Sequence, residues 1–170
     1  YAILKIQEIN DTQYLLNRDW HDIRSLLIDI EHKFNTVIDH GALQLALSVD
    51  TNVPTKLYLD IDKVNEVLNQ IISNAIKYTP QGNVHIHAGC LHNILKITVT
   101  DTGIGMNKEV LDNVFELFEQ GDSSTTKTYQ GMGLGMSIVQ KVMKKMQGTI
   151  EVDSKVEKGT TVTLNIPVEM

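Results

Sequence analysis

Gln70 and Asn74 place two carboxamides one helical turn apart, and Lys77 follows about a turn later. A carboxamide offers an uncharged carbonyl oxygen to a hard cation. A lysine offers a point charge to phosphate. Together they suit a metal–polyphosphate ligand. Asp101, in the run Asp-Thr-Gly-Ile-Gly, is a carboxylate that can only accept hydrogen bonds when ionised. The glycines at 131, 133 and 135 precede a helical pattern, and glycines at a helix start expose N–H groups that cradle phosphate. That run lacks the spacing of a dinucleotide fingerprint and follows a polar loop, not a strand. It is not closed by the Gly-Lys-Ser/Thr of a Walker loop either.

The carboxamides lie on residues 60–80, DIDKVNEVLNQIISNAIKYTP, which the spacing predicts to be an amphipathic helix. Val64, Leu68, Ile71, Ile72 and Ala75 form its apolar stripe. Lys63, Glu66, Gln70, Asn74 and Lys77 fall on the opposite side, and without further context they read as a solvated face. Asp60 is the expected N-cap, with Pro80 and Gly82 as the stop. A second helix is predicted over 22–40, with Gly41 at its end, a short one over 107–113 and a third long one over 134–147, ended by Gly148. Strands are expected at 13–16, 43–49, 56–59, 83–90, 94–100, 149–154 and 160–168, with 91–93 as a hairpin turn. Residues 119–130 read as a polar Ser/Thr-rich loop. Helices interleaved with mostly hairpin-connected strands predict an α/β sandwich, with helices on one face of the sheet.

Composition narrows the classes. Hydrophobic residues make up 42% of the chain, as in an ordinary globular core. A net charge of −6 and a pI near 5.4 argue against a nucleic-acid surface. Cys90 is the single cysteine, so neither a disulfide framework nor a zinc cysteine pair is available, and it reads as a small buried strand residue. No run approaches the length of a membrane span, and no signal peptide is visible. The first residue, Tyr1, falls inside an expected helix, which reads as a fragment of a longer protein.

The motifs NAIKYT (74–79), DTGIG (101–105), VFELFEQ (114–120), GMGLGMS (131–137) and KGTT (158–161) stand in this order. In that order they resemble the catalytic, ATP-binding part of sensor histidine kinases, a family within the gyrase, Hsp90, histidine kinase and MutL ATPase superfamily. The resemblance runs from about residue 20 to Pro167. It implies a Bergerat-type two-layer sandwich, a mixed sheet of about five strands under three helices. Residues 1–19 would be the tail of a dimerisation helix and linker, and residues 20–170 the catalytic domain. The implied ATP site comprises Asn74, Lys77, Tyr78, Asp101, Gly103, Gly105, Met106, Lys127, Gly131, Gly133, Leu134, Gly135, Met136 and Thr160. Asp101 would read the adenine amino group, and the glycines beside it would let backbone approach the base or take positive φ. Asn74 and Gln70 would hold Mg²⁺. Phe115 and Phe118 would anchor a lid over 119–131, and Lys127, where many relatives carry Arg, would meet the γ-phosphate. The implied partners are the dimerisation and phosphoacceptor domain of the same protein, as a homodimer when full-length, and a response regulator. The implied location is cytoplasmic, with membrane anchoring of the parent left open.

Two features bear on the reaction. His21-Asp-Ile-Arg imitates a phosphoacceptor motif, but the segment between it and Gln70 belongs to the catalytic domain and leaves no room for a helical hairpin. His21 therefore reads as a boundary histidine, and no catalytic residue is assigned within the fragment. His32, His40, His85, His87 and His92 show no metal-like spacing, and His85 and His87 read as exposed on one strand face. Gln70 stands where the family has Asn and where superfamily ATPases have a Glu base. Gln cannot act as that base near pH 7, which favours phosphoryl transfer to a protein over hydrolysis. A conformational ATPase and a non-catalytic nucleotide-binding module are the alternatives; Gln70 opposes the first, and Asn74, Asp101 and the glycine run oppose the second.

Overall fold

The computed structural model describes residues 16–112 and 130–170, with only the backbone described over 130–135. The elements are β1 (Asp19–His21), α1 (Ile23–Asn35), β2 (Leu43–Val49), β3 (Leu57–Leu59), α2 (Ile61–Lys77), β4 (Gly82–Leu91), β5 (Ile94–Asp101), α3 (Lys108–Asp112), α4 (Gln130–Lys145), β6 (Thr149–Lys155) and β7 (Gly159–Pro167). Five strands form a mixed sheet in the order β2-β4-β5-β7-β6. Among the described residues only β2 and β4 pair in parallel, and β3 and α2 supply the crossover that such a pair requires.

Strand alternation sets the layers. Val84, Ile86, Ala88 and Cys90 of β4, Leu95, Ile97 and Val99 of β5, and Val162, Leu164 and Ile166 of β7 are all buried. They form one core with Ile23, Leu27 and Ile30 of α1, Val64, Leu68, Ile71 and Ile72 of α2, and Val139, Val142, Met143 and Met146 of α4. Fully burying a side chain of this size contributes about 1.5–3 kcal/mol. The expected two-layer sandwich, a mixed five-stranded sheet with three long helices against one face, is the observed fold. Cys90 is buried, and burial pushes its thiol pKa up.

Several boundaries differ from expectation. The helix predicted over 22–40 ends at Asn35, where Thr36 caps it and donates its hydroxyl to the Lys33 carbonyl at 2.6 Å. The β-branched run Thr36-Val37-Ile38 disfavours helix continuation. The strand at 57–59 does not join the main sheet. It pairs antiparallel with β1, which the sequence did not announce, and Trp20 packs on Tyr58 with ring centroids 5.4 Å apart. Helix α2 keeps its Asp60 N-cap, which accepts from Lys63 N, and ends at Lys77 with Tyr78 as its C-cap, before Pro80. The last helix ends with Gln147, not Gly148, in the left-handed region (φ 61°). Gly148 N bonds the Met143 carbonyl and Gln147 N the Lys144 carbonyl, which is the Schellman pattern. That helix also begins at Gln130, so Gly131, Gly133 and Gly135 lie within its first turns, not before it. His92 and Asn93, both at positive φ, form the β4–β5 turn as expected. Of the strand expected over 13–16, only Leu16 is described and it lies in no strand; the Phe115–Phe118 anchor and Lys127 of the expected lid lie outside the described residues.

Candidate functional site

The site begins where the apolar rows of the sheet give way to a polar one. Val99 of β5 stands opposite Val162 of β7, which stands opposite Val152 of β6. One step along, the same inward positions hold Asp101, Thr160 and Ser154. Asp101 is 7% exposed. Its Oδ1 accepts from Gly103 N at 2.9 Å and from Thr160 N at 3.1 Å. Both main-chain donors converge on one oxygen, so Oδ2 keeps acceptor capacity. Burial pushes the Asp101 carboxyl above the ordinary Asp value, against the opposing pull of the Gly103 and Thr160 amides and the Thr79 hydroxyl.

Above this floor lies a cleft of about 520 Å³, its open mouth included. Helix α2 contributes Ile71, Asn74 and Ala75, and its cap residue Tyr78 follows. The loop after β5 contributes Ile104, Gly105 and Met106, α4 contributes Met136, and Val99, Val152 and Val162 line the sheet side. The walls are apolar with a few polar groups aimed inward, which suits a flat heteroaromatic ring with a polar edge. Asn74 is half-buried, not solvated as its helical stripe suggested, and its Nδ2 is fully buried without a hydrogen-bond partner. An orphaned buried amide is costly unless a ligand satisfies it. Amide oxygen and nitrogen exchange places by rotation, so Asn74 fits either a phosphate oxygen or a hard cation.

The loop glycines serve the protein's own packing. A Cβ on Gly103 would fall 2.1 Å from the Tyr78 carbonyl oxygen. At Gly105, φ is +68° and a Cβ would fall 1.9 Å from the Lys155 carbonyl oxygen. The loop is thus clamped between the end of α2 and the β6–β7 turn. Ile104 N donates to Tyr78 O at 3.0 Å, and Met106 N donates to Ser154 Oγ at 2.8 Å. Ser154 Oγ in turn lies 2.8 Å from Thr160 Oγ1 and donates to Gly159 O at 2.9 Å.

Among the sequence-derived candidates, Asn74, Tyr78, Asp101, Gly105, Met106, Met136 and Thr160 meet at this cleft, and Gly103 braces its floor. Lys77 is exposed, with Nζ 5.4 Å from the Tyr78 ring centroid. Gln70 does not line the cleft. It faces a shallow concavity with Lys33, Phe34, Asn69 and Ser73. Gly131, Gly133, Leu134 and Gly135 are placed by backbone alone, and Lys127 lies outside the described residues. Thr79 and Ser154 were missed. Ser154 carried a signal, a polar residue continuing the inward alternation of Ile150 and Val152. His21 closes β1 opposite Leu57, away from the cleft. His87 is not simply exposed: its Nε2 lies 2.8 Å from Asp50 Oδ1, and His85 Nε2 lies 3.0 Å from Ser48 Oγ. Among the described residues there is no cluster of three metal-ligating side chains, and no helix is long and apolar enough to cross a membrane.

The sequence profile of the histidine kinase-, DNA gyrase B- and HSP90-like ATPases matches residues 59–170. The chain is 28% identical over 173 residues to the autoinducer 2 sensor kinase/phosphatase LuxQ of Vibrio harveyi, covering 98% of this chain and 20% of that protein. It is 33% identical to the sensor histidine kinase WalK of Bacillus subtilis, covering 97% of this chain and 27% of that protein. The chain thus spans about a fifth to a quarter of the length of these relatives. Full-length ShkA, solved in complex with AMPPNP, superposes with a TM-score of 0.85 at 23% identity over 99% of this chain and 35% of that one. The catalytic domain of the histidine kinase ThkA superposes at 0.74 and 21% identity over 89% of this chain and 96% of that domain. The chain belongs to the histidine kinase-, DNA gyrase B- and HSP90-like ATPase family.

Proposed function

We propose that this domain binds Mg·ATP in the Asp101 cleft and presents the γ-phosphate to a histidine on a dimerisation domain, from which a response regulator receives it. The observation that carries the nucleotide assignment is the Asp101 carboxylate, buried at the cleft floor with both main-chain donors on Oδ1. Its remaining oxygen accepts from the adenine N6 amino group, and guanine, with an acceptor at that edge, is refused. Ile71, Ala75, Met106 and Met136 sandwich the ring, and Tyr78 flanks it. Thr160 holds Asp101 through its amide and completes the polar row. Asn74 would hold Mg²⁺ through its carboxamide oxygen, and the ion would add positive charge beside the phosphates. Lys77, Lys127 and the free main-chain amides in the first turn of α4, Gly131 and Gly133 among them, would act on the phosphate charge, and Leu134 and Gly135 follow directly in that helix. Such transfer depends mainly on positioning and charge stabilisation.

Gln70 supports transfer over hydrolysis, because its amide cannot activate water as a Glu would. It lies outside the cleft, so it is not a wall of the base pocket.

The test is calorimetric titration of the domain with ATP, ADP and GTP, with Mg²⁺ or with chelator, followed by incubation with a dimerisation domain carrying the acceptor histidine. ATP and ADP should bind, GTP should not, Mg²⁺ should tighten ATP, and label should pass to the histidine. Failure to bind ATP overturns the assignment. Steady ATP hydrolysis without transfer would favour the conformational-ATPase alternative.

A further inference from the structure

The main sheet ends in two different edges. On one side lies β6, whose sequence carries Glu151, Asp153 and Lys155. Charged side chains of this kind keep an edge from pairing with another chain. On the other side lies β2, and its run LQLALSV holds no charge, no proline and no glycine. Asp50 N donates to the Ala88 carbonyl and Gly82 N to the Ala42 carbonyl, so the even-numbered residues along β2 turn their main chain toward β4. The N–H and C=O groups of Leu45, Leu47 and Val49 therefore point away from the sheet. Among the described residues nothing hydrogen-bonds them.

Helix α1 runs along this edge. Arg24 Nη2 donates to the carbonyls of Asp50 at 3.2 Å and Val53 at 3.1 Å, just past the end of β2. His40 Nε2 lies 2.8 Å from the Asn35 carbonyl, just before the strand begins. Lys33 donates to Asn69 of α2, which fixes the side of α1 that faces its neighbouring helix. Helix geometry puts Arg24, Ile28 and Glu31 on the other side, along the β2 edge. Ile28 is 41% exposed, an apolar side chain beside unpaired main chain. Arg24 and Glu31 flank it, and the half-buried Glu31 has no ion pair among the described residues. This set is self-complementary about a two-fold axis. With the axis at Ala46, Leu45 of one copy stands opposite Leu47 of the other, and their N–H and C=O groups exchange. Gln44 comes opposite Ser48, so no like charges meet along the strand. Ile28 meets Ile28, and Arg24 of each copy approaches Glu31 of the other. We infer that the β2 edge is a self-association surface, on which a second copy of this domain pairs antiparallel and continues the sheet. The inference does not depend on the ATP reading. Two short strands and one helix contact make a small interface, so the dissociation constant is on the order of 10⁻⁴ M.

The test is sedimentation of the domain between about 10 μM and about 1 mM, with residue-resolved amide hydrogen exchange at both ends of that range. The mass should rise toward a dimer. The amides of Leu45, Leu47 and Val49 should gain protection as it does, while those of Ala46 and Ser48, already turned to β4, should be protected throughout. Ala46→Lys sets like charges face to face at the axis and should weaken association at least about tenfold. Thr98→Lys, on the same face of the sheet but in a central strand, should leave association unchanged, which separates edge pairing from stacking of sheet faces. Ala46 is exposed, so thermal unfolding of Ala46→Lys in dilute solution should match the native domain. Association that leaves the three edge amides unprotected, or that Ala46→Lys does not weaken, would overturn the inference. So would edge amides already protected in the dilute monomer, since the chain would then cover its own edge. A domain that stays monomeric throughout would leave the edge to an extended segment of another protein, and the inference would fall.

Discussion

Asp101 and Thr160 stand directly opposite each other on β5 and β7, and the Thr160 amide donates to Asp101 Oδ1 at 3.1 Å. Gly103 N donates to the same oxygen from the other side. The sheet and the loop after β5 thus place both main-chain donors on one carboxylate oxygen.

This placement sharpens the effect of Asp101→Asn. The new side chain can keep its oxygen on the two amides only by turning its NH₂ to the ligand side, where it meets the adenine amino group donor to donor. A mismatched buried polar pair costs about 1–3 kcal/mol, or roughly ten- to a hundredfold in affinity. ATP and ADP should lose equally, because both carry adenine. Calorimetry that found native affinity in the variant would remove Asp101 from the site.

Burial raises the Asp101 pKa, so the carboxylate gains its proton at a higher pH than an ordinary Asp does. Adenine binding should weaken as pH falls through that raised pKa, and Asp101→Asn should abolish this acid limb. The apo fold should respond in the opposite sense. The stabilising contribution of neutral Asp101 is fully present below the unfolded-state pKa and is lost as pH rises through the folded-state pKa. Affinity and apo stability measured across the acid range should thus carry opposite slopes from this residue. An affinity profile identical in the native protein and in Asp101→Asn would contradict it.

Gly105→Ala should destabilise the loop that closes the cleft. Its φ is +68°, and its Cβ would overlap the Lys155 carbonyl, a main-chain atom that cannot swing aside. The strained conformation alone costs about 1–2 kcal/mol, and the overlap adds to it by forcing the β6–β7 turn away. Both a lower melting temperature and weaker nucleotide binding are expected. A variant as stable as the native domain would mean that the turn yields freely.

Much of the architecture was legible locally. The apolar stripe of α2 and its Asp60 cap, the alternation of the central strands and the two-residue turn after Leu91 are short-range patterns, and each determined its element. Side-chain periodicity encodes which face is buried, so two layers followed. The ordered motifs likewise located Asn74, Asp101 and Thr160 without coordinates.

Other features depended on contacts between segments distant in the chain. No local pattern could pair Asp19–His21 with Leu57–Leu59, because neither three-residue run has a partner within its own hairpin. The helical wheel put Gln70 and Asn74 on one polar stripe, yet α1 packs beside the first and the cleft opens at the second. The glycines of DTGIG suggested room for a ligand, whereas the room is taken by the carbonyls of Tyr78 and Lys155. Residue types and spacing thus determined the elements and the chemistry available to them. Which oxygen of Asp101 takes the two main-chain donors and which carboxamide lines the cleft were decided only when sheet register and helix packing brought together residues far apart in sequence.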